Sequence, residues 1–64
     1  MDEKDIWRTA ALLIKQHGRK AGELAKLRAI DMMEKKDANG EAAWKRIAQA
    51  VDDLTKTRGG EAVH

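Results

Sequence analysis

The chain has no cysteine, no proline, no tyrosine and no phenylalanine, and only two tryptophans among its 64 residues. Without cysteine there can be no disulfide framework, thiolate zinc site or iron–sulfur cluster. The shortage of aromatic and β-branched residues argues against a β fold. No apolar stretch approaches the ~20 residues that a membrane span needs. The charged opening Met1-Asp2-Glu3-Lys4-Asp5 does not read as a signal peptide. A cytoplasmic, soluble chain with no membrane partner is the expectation.

Bulky apolar side chains are also scarce. Ile, Leu, Val, Met and Trp number 16 together, against 11 alanines. That supply suits one small helical domain and leaves little room for a deep, dry active site. Thirteen basic and eleven acidic residues give a net charge of +2. The two signs are mixed along the whole length, so no single face is set apart for a polyanion.

What is present is helical periodicity. Ile6, Trp7, Ala10, Leu13, Ile14 and His17 recur at spacings of three and four, which stacks them on one face of a helix over about 4–17. Asp2, Glu3 and Asp5 at its start and Lys15 near its end suit the helix dipole. Gly18 fits the position that closes a helix with positive φ. A second helix is expected over 20–36, with Ala21, Leu24, Ala25, Arg28, Ala29 and Met32 as its stripe and Met33 on the shoulder. Gly22 weakens its first turn. Asp37-Ala38-Asn39-Gly40 is the next break, where either Asp37 or Asn39 can cap a third helix.

That third helix is expected over 38–55, with Trp44, Ile47, Ala48, Val51 and Leu54 inward. Asp31–Lys35, Glu41–Lys45 and Asp52–Lys56 are acid-before-base pairs at the spacing that supports a helix. From Thr57 the chain has two glycines and no period, so 57–64 reads as a disordered, flexible tail behind a domain spanning 1–56. Short connections between three such helices predict a small all-α fold, an antiparallel three-helix bundle. Trp7 and Trp44, the only large rings, are expected to anchor the core edge between the first and third helices.

The three stripes leave some apolar residues over. Leu12 lies away from the first stripe, and Leu27 and Ile30 lie opposite Ala25 and Met32. They are either singly exposed residues of a kind common on any protein or the contact surface of a homodimer or a partner protein. Arg28 sits inside the second stripe, where it either carries its head to water or is partly buried against an acceptor.

Catalysis has no candidate residues. No paired carboxylates, nucleophile elbow or phosphate loop appears, and His17 and His64 have no ligand partners at metal spacing. No cofactor and no metal are expected. Nucleic acid is the stronger competitor. The turn His17-Gly18-Arg19-Lys20 sets two cations at a helix start, and Lys26 extends them, so a weak nucleic-acid or anion contact through Arg19, Lys20 and Lys26 is the alternative function. Glu23 within that patch opposes it.

Ile6-Trp7-Arg8, Ala11-Leu12-Leu13-Ile14, His17-Gly18, Arg28-Ala29, Met32-Met33, Asp37 and Trp44-Lys45-Arg46-Ile47 together resemble a family of short proteobacterial helical proteins, a domain of unknown function. The likeness spans most of residues 5–54. It implies a compact helical module and brings no activity. Members carry glycine where this chain has Lys36, and acidic residues just after Gly18 where this chain has Arg19-Lys20.

Overall fold

A computed structural model describes residues 2–63, with side chains described over 2–56. Helix α1 covers Glu3–His17, a 3-10 turn covers Gly18–Lys20, α2 covers Ala21–Glu34 and α3 covers Ala38–Val63. The fold is all-α, with no strand among the described residues. The helix starts fall within a residue of those expected, and α2 begins only after the 3-10 turn. The end of α3 passes the expected Thr55. The tail expected over 57–64 lies outside the described side chains.

Local chemistry explains each boundary. Asp2 caps α1, its Oδ1 accepting from the Glu3 amide at 2.9 Å. Gly18 ends α1 at φ 59, and its amide donates to the Ile14 carbonyl. At the end of α2, the Asp37 amide donates to the Met32 carbonyl at 2.8 Å and the Lys36 amide to the Met33 carbonyl at 3.0 Å. These two bonds make a Schellman closure, and Lys36 holds the positive φ of 60 that the closure requires. Asp37 then starts α3, its Oδ1 accepting from the Gly40 amide at 2.9 Å. Of the two capping candidates, Asp37 makes this bond.

The three pairs legible in the sequence all form: Asp31–Lys35 at 3.1 Å, Glu41–Lys45 at 2.8 Å and Asp52–Lys56 at 3.2 Å. All lie at the surface, with only Glu41 partly buried, so each contributes only a few tenths of a kcal/mol.

α1, the 3-10 turn and α2 succeed one another without coil and bend at Gly18. Both helices lie mainly on α3 and touch each other far less. The Glu3–Arg46 pair at 3.4 Å sets the first turn of α1 beside the first half of α3. A Cβ built on Gly22 would stand 3.6 Å from Val51 Cγ1, so α2 starts beside the middle of the same helix. The core runs along α3, where Ile47, Ala48, Ala50 and Val51 meet Ile6 and Ala10 of α1 and Ala21 and Ala25 of α2. Leu13, Ile14, Trp44 and Leu54 pack on it from the side.

This core corrects one expectation. Trp44 packs against the buried cluster, but Trp7 is 38 % exposed and does not anchor it. Ile6 and Ala10, one turn apart, take the inward face of α1, and the adjacent position is rotated by ~100°. Against a wall of alanines there is also no deep recess for an indole. Among the described residues Ile47 is the largest side chain that is fully buried.

Candidate functional site

α2 divides its two faces by size. Ala21, Ala25 and Ala29, spaced by one turn, are buried against α3. Their small side chains let the helices approach closely and send the larger residues outward. Leu27, Ile30 and Met33 are 57 %, 48 % and 53 % exposed. Spacing by three places them along one inclined ridge of the helix. Met33 stands on the shoulder of the inward stripe, as periodicity puts it, lining the groove between α2 and α3 while half exposed at the end of the ridge. The 27–30–33 spacing is visible in the sequence, but only the burial of the alanines shows that this side is the outer one.

Beside the ridge, α2 and α3 enclose a groove of about 470 Å³. Ala29, Ile30, Met33 and Ala48 give it apolar walls. Its rim carries Lys26 and Lys45 together with Glu41 and Asp52, so both signs are balanced there.

A second groove of about 650 Å³ runs from the 3-10 turn along α2 and α3. Arg19 and Lys26 of the expected anion contact both line it, whereas Lys20 does not. Glu23 and Asp52 line the same groove. An anion entering it would meet two carboxylates along with two cations, which weakens any attraction. Leu12 is 51 % exposed on α1 and lines neither groove.

Arg28 is exposed, so its head reaches water and the snorkelling alternative describes it. His17 is exposed at the end of α1. Asp53 accepts from Gln49 Nε2 at 3.1 Å, and its neighbour Asp52 pairs with Lys56. Among the described residues no polar or charged side chain is buried, and no group of three or more His, Cys, Asp or Glu could hold a metal ion. No helix among them is long and apolar enough to cross a membrane.

Comparison with family models, with curated proteins and with solved structures gives no match to this chain.

Proposed function

We propose that the chain is a non-catalytic self-association module, a three-helix bundle that buries the outer ridge of α2 against a second copy of itself. The observation that carries this is the continuous ridge of Leu27, Ile30 and Met33, each about half exposed, beside an apolar-walled groove. Contiguous apolar surface of this kind mismatches water, whereas scattered single residues do not.

Two features favour a second copy over other partners. The core is thin, with alanine at six of the nine buried positions among the described residues, so apolar burial against a second copy would add stability. The groove rim is balanced in charge, which suits a surface meeting its own kind better than a polyanion. The bundle description draws on α1 and α2 both resting on α3 and on the Glu3–Arg46 bridge. Binding of nucleic acid or anions through Arg19, Lys20 and Lys26 has less support, because Glu23 and Asp52 share the groove with two of those cations.

Light scattering from micromolar to millimolar protein tests this. The expected result is a mass that rises from monomer to dimer, and a Leu27→Asp/Ile30→Asp variant that stays monomeric with unchanged helicity. A wild-type chain that remains monomeric throughout sinks the proposal.

A further inference from the structure

We infer that the outward side of α1 is a binding surface for single-stranded nucleic acid, with Lys4, Arg8 and Lys15 on the phosphates and Trp7 against an unpaired base. This surface does not rest on the self-association reading, which uses α2, and it is separate from Arg19, Lys20 and Lys26.

The helix sorts charges that the sequence mixes. Lys4, Arg8, Ala11 and Lys15 follow one another at spacings of four, three and four, so they share one line along α1. All four are exposed. The three cations fall within about 40° of arc, on the side of α1 opposite buried Ile6 and Ala10. From Lys4 to Lys15 the line is about 16 Å long. No acidic residue lies on it. Glu3 is engaged by Arg46, and Asp5 stands about 60° to one side of Arg8.

Taken alone, this row costs the helix stability. Lys4 stands in the first turn of α1, where a cation opposes the dipole, and Lys4 and Arg8 are like charges at i,i+4. Lys35, Lys45 and Lys56 each meet an acid at that spacing. Lys4, Arg8 and Lys15 make no ion pair among the described residues. A row of phosphates is the complement that such a row of cations lacks.

Trp7 selects the kind of polyanion. It is 38 % exposed and lies about 40° around the helix from Ala11, beside the gap that this small residue leaves between Arg8 and Lys15. Paired, stacked bases of a duplex cannot reach an indole, whereas the bases of a single strand can stack on one. A bilayer asks for the reverse order, with apolar residues on the outermost line of the helix. Here that line is cationic, and Trp7 and Leu12 stand on opposite flanks of it.

The test is fluorescence anisotropy of a labelled oligothymidylate of about 20 nucleotides, titrated with the protein between about 20 and 200 mM sodium chloride. Three phosphate contacts predict that log affinity falls against log salt with a slope of about −2. Lys4→Gln/Arg8→Gln/Lys15→Gln changes exposed side chains alone and should weaken binding at least ten-fold at the lowest salt and flatten that slope. Lys20→Gln/Lys26→Gln should leave the affinity within about two-fold. Trp44 packs against the core, so quenching of the protein's own fluorescence by unlabelled strand reports on Trp7, and Trp7→Leu should abolish it while weakening binding roughly five-fold or more.

A triple variant that binds as the wild type does, or no binding of the strand at the lowest salt, overturns the proposal. So does a duplex bound as tightly as the single strand, or binding to phosphatidylglycerol vesicles without binding to the strand. None of these outcomes bears on the mass measured for the wild-type chain.

Discussion

The Lys36 amide donates to the Met33 carbonyl at 3.0 Å while Lys36 itself sits at φ 60, so α2 closes on a lysine held in a left-handed backbone. The closure satisfies two end carbonyls of the helix, but a side chain with a Cβ is disfavoured there. Lys36→Gly should raise stability by about 0.5–1 kcal/mol, the usual gain when glycine relieves a positive φ, less the entropy it adds to the unfolded chain. Urea unfolding monitored by circular dichroism reads it directly, and a lower midpoint in the variant would contradict the strain at Lys36.

Two helical glycines should respond differently to alanine. A Cβ on Gly22 meets only Val51 Cγ1 at 3.6 Å, an ordinary contact, so Gly22→Ala should stabilise by about 0.5–1 kcal/mol through helix propensity. A Cβ on Gly40 would stand 2.7 Å from both Asp37 Oδ2 and Met32 Sδ. The Asp37 carboxylate must then turn away from the amide it caps, so Gly40→Ala should show none of that gain. Asp37→Ala gives the scale of the lost cap, about 1 kcal/mol. Equal stabilisation by both alanines would mean that the cap tolerates the added methyl.

Ile47 and Trp7 reverse the order that size alone suggests. Ile47 is 1 % exposed in the middle of the core, so Ile47→Ala should cost about 2–4 kcal/mol and leave little folded protein at room temperature. Trp7→Ala removes a larger side chain that is 38 % exposed and should cost clearly less. Thermal melts of the two variants side by side decide it. A Trp7 variant as damaged as the Ile47 variant would return Trp7 to the core.

Arg28→Met should change stability by less than about 0.5 kcal/mol, because Arg28 is exposed and makes no ion pair among the described residues. A gain of several times that in the same urea titration would show a buried, poorly matched charge.

Much of this protein is decided locally. Gly18 with its positive φ, the Asp37 cap, the dipole-matched start of α1 and the three i,i+4 pairs all depend on residues within a turn of one another, so spacing and residue type are enough to read them. The leftover status of Leu27 and Ile30 is also legible, since a helix has only one side facing its neighbour.

The choices between adjacent residues are made by packing. Ile6 and Trp7 both belong to the apolar stripe of α1, and only the position of α3 buries the first and leaves the second partly open to water. Ala50 is 2 % exposed although no stripe drawn from the sequence includes it, because α3 is approached by both α1 and α2 and buries a wider arc than one neighbour would require. The Glu3–Arg46 bridge joins residues far apart in the chain and exists only because the bend at Gly18 carries α1 back onto α3. Periodicity states that a helix has an inner face; the size of the side chains it meets across the interface decides where that face ends.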